Sequence, residues 1–331
     1  MKLAVGFITY NEATSKYLGD FLPSLEAALS FLKADDYQVY AFDNSDKANL
    51  ENSRTLSRYP KIKYFCEGRN FGFARAYNIL IREAIKNEAE YFLVINPDTI
   101  MEPEAIKFLA AALDNDGSLG AAAPKILRWD YAAKIKTDTI DSLGLMLGSG
   151  LKFVDAGQGM KDNSRQGHSD ILGPSGAAGL FRVSALKQIA MARLKETVIA
   201  HADQNTQYFD ERFFMYKEDC DLAYRLFLAG YKAILVSEAI VYHDRTAAVS
   251  GRGIKDFWRD RQSKSRKIRA WSFLNQHLLF LKHWEKQNLV NKIVISGKIV
   301  FMFLFSLILE QFLLKEYISL AKLSRGLTNI K

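Results

Sequence analysis

Apolar positions along the chain fall into two alternating rhythms. Tyr91, Phe92, Leu93, Val94 and Ile95 run together and stop at Asn96-Pro97, as expected of a strand buried on both faces of a parallel sheet. Residues 3–9, 37–42 and 62–66 predict three more strands. The first reads as structure and not as a signal peptide, because no small-residue cleavage site follows it. Between the strands the period becomes that of a helix. Leu22, Leu25, Leu29 and Leu32 share one face of a helix opened by Pro23. Tyr77, Leu80, Ile81, Ala84 and Ile85 keep helical spacing through 73–86, and Ile106, Leu109, Ala110 and Leu113 do so after Pro103. Strands alternating with helices predict an α/β fold with a parallel sheet joined by right-handed crossovers.

The pattern then changes. Nine of the 20 glycines fall between Gly144 and Gly179, which predicts loops and short strands and not packed helices. A helix over 222–229, closed by Gly230, leads to two short strands, 233–236 and 239–242, the second ending at His243. Beyond 250 the material differs again. Arg259, Arg261, Lys264, Arg266, Lys267 and Arg269 precede an apolar helical run over 273–284, and residues 299–309 carry no charge. Eleven residues are too few to span a bilayer, which takes roughly 20. The expectation is a helix lying in a membrane interface, with a buried core helix as the alternative.

Composition sharpens this division. With 331 residues and 49% hydrophobic content the chain can hold one large domain, or a domain with an appendage. Its net charge of +8 is unevenly placed: residues 252–331 hold 16 Lys and Arg against 5 Asp and Glu, leaving residues 1–251 at −3. A basic tail on a mildly acidic body points to an anionic surface, membrane or nucleic acid, as its partner. Two cysteines without regular spacing, Cys66 and Cys220, fit a reducing cytosol.

Four of the expected strands end in polar residues: Thr9 to Glu12, Asp43-Asn44-Ser45, Asn70 to Arg75, and Asn96-Pro97-Asp98. In a parallel sheet these ends open on one edge, where α/β folds bind ligands. Asp43 could accept from a pyrimidine N–H or a ribose hydroxyl, backbone groups around Thr9 could meet a base, and Asp98 could hold a divalent ion bridging two phosphates. Each also has a plain turn-forming role open to it. Glu218, Asp219 and Asp221 stand together at a helix start, either complementing its dipole or supplying a general base. His243, at a strand end, is a metal ligand or a polar edge residue. No GxxxxGK[ST], GxGxxG or HExxH is present, so the P-loop, dinucleotide and zinc-protease readings lose their main support.

Taken in order, TYNEA (9–13), DNS (43–45), NFGFARAYN (70–78), NPD (96–98), SGAAGLFR (175–182) and FDERFFMYKEDCDLAYRLFLAGY (209–231) resemble the successive motifs of family-2 glycosyltransferases, most similar to the bacterial rhamnosyltransferase-like branch. The resemblance covers residues 1 to about 245. It implies a GT-A fold: a Rossmann-like, mostly parallel central sheet flanked by helices. Residues 1–100 would be the nucleotide-sugar half, 101–250 the acceptor and catalytic half, and 251–331 a basic, apolar, membrane-associated helical extension. It implies an inverting, metal-dependent transfer of a sugar, rhamnose from a TDP- or UDP-linked donor, onto a hydroxyl of a growing cell-surface glycan, and the basic, apolar tail points to a polyprenyl-linked one. The place of action would be the cytoplasmic face of the cell membrane, with no nucleic acid involved.

Carried over by motif, Thr9, Asn11, Asp43, Asn70, Arg75, Asn78, Asn96, Ser175 and Gly176 would meet the substrates. Asp219, with Glu218, would be the base, and Asp98 would hold Mg²⁺ or Mn²⁺. Many relatives carry Asp-x-Asp where this chain has Asn96-Pro97-Asp98, so a second metal ligand, His243, would come from elsewhere. Transfer of another hexose, a sugar nucleotidyltransferase and a non-catalytic membrane adaptor are the rival readings.

Overall fold

The computed structural model describes residues 2–47, 49–163, 168–192, 205–245 and 254–324. The expected domain boundary at 250 and Gly167 of the glycine-rich stretch lie outside the described residues. The chain divides into two compact units. The first holds Met1–Met146, Asp155–Glu211 and Glu218–Thr246, and the second Leu147–Val154, Arg212–Lys217 and Ala247–Lys331.

In chain order the first unit begins β1 (Leu3–Thr9), α1 (Asn11–Ser15), α2 (Leu18–Leu29), β2 (Tyr37–Asp43), α3 (Glu51–Leu56), β3 (Ile62–Cys66), α4 (Gly72–Lys86), β4 (Tyr91–Ile95), β5 (Thr99–Met101), α5 (Ala105–Asn115), β6 (Leu119–Asp130) and β7 (Ile135–Ser142). A short hairpin follows, β8 (Leu145–Gly148) and β9 (Lys152–Asp155), most of it belonging to the second unit. Then come β10 (His168–Ile171), β11 (Ala178–Arg182), α6 (Val183–Gln188), the small pair β12 (Met191–Ala192) and β13 (Thr206–Gln207), α7 (Glu218–Leu228) and β14 (Lys232–His243). The main sheet has the order β10-β14-β6-β11-β4-β1-β2-β3. Strands β3, β2, β1 and β4 are parallel neighbours, as are β6 and β14, while β11 is antiparallel to both β4 and β6.

Both faces of the sheet are covered, which is why its central strands read as unbroken apolar runs. Leu3, Val5, Phe7, Leu93 and Ile95 pack with Phe21, Leu22, Leu25, Ile106 and Leu109 on one side. Ala4, Phe92 and Val94 pack with Tyr77, Leu80, Ile81, Leu222 and Leu226 on the other. Gly6 is required on that second face, since a Cβ there would meet Phe92 Cζ at 2.4 Å.

Three sequence expectations change. Pro23 lies inside α2 and does not open it; Leu18, Phe21, Leu22 and Leu25 are buried along the helix, and that burial offsets a proline cost of about 3 kcal/mol. Residues 233–236 and 239–242 are one strand, β14, paired with β6 on both sides of a bulge between Val236 and Ile240. The charge-free stretch 299–309 is the end of a longer helix in the second unit.

That unit contains α8 (Ile254–Ser263), α9 (Arg266–His283), α10 (Leu289–Ile308) and α11 (Glu316–Ser324). Helix α10 has 20 residues, enough by length and composition to cross a membrane, although Lys292 and Lys298 interrupt it. It is not a core helix, because only Ile295 and Ser306 along it are buried. Ala270, Phe273 and Leu313 form the unit's own small core, with Met302, Phe312 and Tyr317 against them.

Two outcomes follow from buried polar groups. Asp43, 1% exposed, fastens the ends of β1 and β2. Its Oδ1 accepts from Thr9 Oγ1 (3.0 Å), the Ser45 amide (3.0 Å) and hydroxyl (2.5 Å), and Asn52 Nδ2 (3.3 Å), while Oδ2 accepts from Tyr64 OH at 2.9 Å. Asp43→Asn places an amide among donors and should lower unfolding stability by about 3 kcal/mol, read by urea titration. In the second unit, burial holds the His277 imidazole below its usual 6.5, and its Nδ1 faces the Phe273 carbonyl at 2.9 Å. Below 6.5 the unfolded chain takes up a proton that the folded one refuses, so stability falls as pH falls. Thermal melts across pH should show a shallower acid limb for His277→Phe than for the native chain.

Candidate functional site

Because β11 runs antiparallel to both β4 and β6, the strands β1 to β4, β6 and β14 all point the same way. Their carboxyl ends, carrying Thr9, Asp43, Asn96-Pro97-Asp98 and His243, therefore share one edge of the sheet. Strand β11 starts from that edge, so Ser175 and Gly176, just before it, belong there too. The Asn96 amide donates to the Ala177 carbonyl at 2.9 Å and ties the two turns together.

On the β1–β2 side, Thr9 is fully buried and spends its hydroxyl on Asp43. Asn11 takes the left-handed conformation (φ 44°), its amide donating to Ser45 Oγ at 2.7 Å. Beside it lies an open cavity of about 640 Å³ lined by Asn11, Glu12, Asp46, Leu50, Glu51 and Arg54. Asn44 clamps the next loop, accepting from the Phe71 amide and donating to the Gly72 carbonyl. Asn70 Oδ1 accepts from the Gly72 amide at 2.8 Å, and the φ of 74° at Gly72 is one that glycine adopts without strain. Arg75 lies over the Phe71 ring at 4.2 Å. Asn78 is fully enclosed; its side chain accepts from the Tyr208 and Phe209 amides and donates to the Phe209 carbonyl and Glu211, bracing α4 against that segment.

The β4–β14 side holds a chain of charges. The Asp98 carbonyl accepts from the Asp244 amide and Trp129 Nε1, which fixes the backbone. Asp98 Oδ2 then lies 3.4 Å from His243 Nε2, while its Oδ1 is buried with no hydrogen-bond partner. His243 Nδ1 sits 2.8 Å from Asp141 Oδ2. Burial disfavours a charged ring here, but the Asp98 charge and the Asp141 hydrogen bond outweigh it and push the imidazole up to about 10. Asp141, 1% exposed, also faces Arg245 at 3.2 Å and Arg128 at 3.7 Å. Burial works against its charge, yet His243 and Arg245 hold it below the usual carboxylate range. Arg245 reaches on to Asp155 at 3.5 Å. There burial wins, the Asp155 carboxyl is raised, and its Oδ1 is buried without a partner.

A carboxylate with one orphaned buried oxygen, next to an imidazole whose far nitrogen is held by a second carboxylate, offers donor types that a divalent cation takes once the ring gives up its Nε2 proton. Among the described residues no cluster of three or more His, Cys, Asp or Glu is arranged around a common point.

The third part is the start of α7. Asp219 accepts from the Gly176 amide at 3.0 Å and the Cys220 amide at 2.7 Å, which brings the Ser175–Gly176 turn onto the helix N-terminus. Ser175 Oγ is buried without a partner. Glu218 is 5% exposed. The repulsion expected among three acids is relieved at Asp221, which is fully buried and bonded to Arg225 Nε at 2.8 Å. The charges of Asp219 and Asp141 both act on Asp155, and those of Asp98 and Glu218 both act on Tyr77, so the two acidic groups share one neighbourhood.

Asp141, Asp155, Arg245, Asn52 and Tyr64 were not singled out by the sequence. Asp141 lies 102 residues from His243, and nothing in the alternating polar run of β7 marks it. Asn52 and Tyr64 become visible only once Asp43 is known to be buried.

Residues 4–189 match the family model for glycosyl transferase family 2. The chain is 32% identical over 97 residues to the dTDP-rhamnosyl transferase RfbF of Shigella flexneri, spanning about a third (32%) of that protein and 29% of this chain. It is 26% identical over 245 residues to the N-acetylglucosaminyl-diphospho-decaprenol L-rhamnosyltransferase of Mycobacterium tuberculosis, covering 69% of this chain and 73% of that protein. Among solved structures, S. aureus TarS 1-349 aligns with a TM-score of 0.50 at 16% identity, covering 97% of this chain and 79% of that one. GalNAc-T7 with UDP, GalNAc and Mn²⁺ aligns with a TM-score of 0.51 at 11% identity, covering 88% and 52%. At these identities the two structures speak for the GT-A fold alone, and with the family match over more than half its length, this chain belongs to glycosyl transferase family 2.

Proposed function

We propose that this protein is an inverting transferase that moves rhamnose from a nucleotide-diphosphate donor onto a hydroxyl of a lipid-linked glycan. The observation that supports the reading is that Asp98 and His243 adjoin at one sheet edge while Asp219, at the start of α7, bonds to the Gly176 turn of that edge, with an open cavity beside Asn11. The names of the two bacterial relatives support rhamnose as the sugar, and the mycobacterial one supports a diphospho-polyprenol acceptor.

In this reading the cavity beside Asn11 and Asp46 takes the nucleoside, with Thr9 and Asp43 shaping its wall. Asn70 and Arg75 face the diphosphate and sugar, and Asn96, Ser175 and Gly176 line the acceptor side. A divalent cation, Mg²⁺ or Mn²⁺, held by Asp98 and His243 would neutralise charge on the departing diphosphate. Asp141 keeps the His243 ring turned towards Asp98. Asp219 takes the proton of the acceptor hydroxyl as its oxygen attacks the anomeric carbon from the face opposite the diphosphate. One C–O bond forms, one breaks, the nucleoside diphosphate leaves with the electron pair, and the configuration inverts. Glu218 is its neighbour in sequence at the start of α7.

The exposed apolar residues of α10, among them Phe301, Leu304 and Ile308, together with the basic residues of this unit, support attachment to the inner face of the cell membrane.

With Mn²⁺ and a panel of UDP-, TDP- and GDP-sugars, diphosphate release is expected from a rhamnosyl donor; binding of none of them would overturn the reading, and preference for another hexose would change the sugar. Asp219→Asn should cut turnover on the order of 10²- to 10⁴-fold with donor affinity retained. Asp98→Asn should weaken Mn²⁺ binding measured by titration calorimetry, and unchanged affinity would remove Asp98 from the site.

A further inference from the structure

The second unit has its own concave feature, a cavity of about 210 Å³ lined by Lys217, Arg261, Gln276, Phe301, Met302 and Phe305. Two kinds of wall meet in it. The Phe301, Met302 and Phe305 wall belongs to α10, and Phe301 is 67% exposed although it is one of the largest apolar side chains of the unit. It continues an exposed apolar face through Leu304 and Ile308. Single exposed apolar residues need no explanation, but a contiguous face of this kind has to be covered by something.

The rest of the lining is cationic beyond its own pairing, with the Arg261 guanidinium 4.8 Å from the centre of the Phe305 ring. Arg261 and Arg269 both bond to Glu310, which is 5% exposed, so one carboxylate serves two guanidinium groups. With Lys217, three cations stand against this one carboxylate among the described side chains at and beside the groove. The Arg261 Nε–H is buried without an acceptor. Lys217 is held in the left-handed region (φ 71°), as is Tyr216 (φ 73°), and the carbonyls of Met215 and Tyr216 both accept from Asn275 Nδ2. Strain of about 1–3 kcal/mol per residue is thus maintained where the ammonium is presented to the groove. Lys217 is followed directly in the chain by Glu218 and Asp219.

We propose that this groove binds the diphosphate and first isoprene units of a polyprenyl-diphosphate-linked acceptor. A diphosphate diester carries two negative charges and acceptor oxygens, which match the Lys217 ammonium and the unpartnered Arg261 Nε–H, and the branched hydrocarbon lies along Phe301 and Phe305. A bulk anionic phospholipid would need neither the orphaned Nε–H nor a concave seat. The assignment rests on the lipid-linked reading of the acceptor, and it adds the place where the lipid phosphates are held.

The test uses the full chain and neutral phosphatidylcholine vesicles doped either with a long-chain polyprenyl diphosphate or with phosphatidylglycerol at equal charge. Lys217→Asn removes the amine and keeps the fold, since asparagine adopts the left-handed region readily. It should weaken binding to the polyprenyl-diphosphate vesicles by about tenfold, the loss of one charge-assisted bond, and leave phosphatidylglycerol binding unchanged. Phe301→Asp, at an exposed position, should lower both. Equal loss on the two vesicle types after Lys217→Asn, or no loss on either, would overturn the groove assignment. Nucleotide-sugar binding, measured in parallel by calorimetry, separates the two levels: a chain that binds donor but shows no polyprenyl-diphosphate preference loses this inference alone, and one that binds no donor loses the transferase reading as well.

Discussion

Carboxylates placed at the end of a buried sheet have to be satisfied, and how each one is satisfied divides this protein into scaffold and site. Leaving a buried polar oxygen unpaired costs about 1–3 kcal/mol, more when it is charged. Asp43 receives bonds on both oxygens from its own surroundings, and Asp141 faces an imidazole and two arginines. Asp98 and Asp155 each keep one buried oxygen without a partner. The first pair holds the edge rigid, and the second marks where it is unfinished, on the side towards β14 and α7.

This contrast explains what was legible in the sequence. The strands that carry the edge announce themselves, because a sheet covered on both faces requires continuous apolar runs such as Tyr91 to Ile95. The polar residues ending those runs could be found for the same reason. Strands β6, β7 and β11 were not legible as strands: β6 is alanine-rich with a proline, and β7 alternates threonine and aspartate, compositions that also suit turns. Their pairing decides their conformation: β6 with β14 and β11 with β4 across long stretches of chain, and β7 with β6. Losing β7 meant losing Asp141, and with it the reason His243 points at Asp98.

The two separate strands expected before His243, 233–236 and 239–242, merge for a related cause. Ser237 and Glu238 interrupt an apolar run and read locally as a turn, but β6 continues alongside, and a bulge absorbs the break at less cost than abandoning the ladder. The consequence is chemical. A continuous β14 delivers His243 opposite Arg128 in register, so the imidazole and a guanidinium reach Asp141 from neighbouring strands.

The second unit follows the opposite logic. The first hides its apolar surface and concentrates unpaired polar oxygens at one edge, whereas here apolar surface is left outside and positive charge is left over. An eleven-residue uncharged window understated α10, because Lys292 and Lys298 sit within it. Lysine is tolerated there since its long stem can lie along apolar surface while the ammonium finds carbonyls, as Lys298 does with Ser149 and Gly150. Length with so little burial is hard to reconcile with a helix that serves only its own core. Cations left over beside exposed aromatics give that surface a chemical preference, for an occupant that is both greasy and doubly anionic, which neither a soluble glycan nor a neutral lipid satisfies.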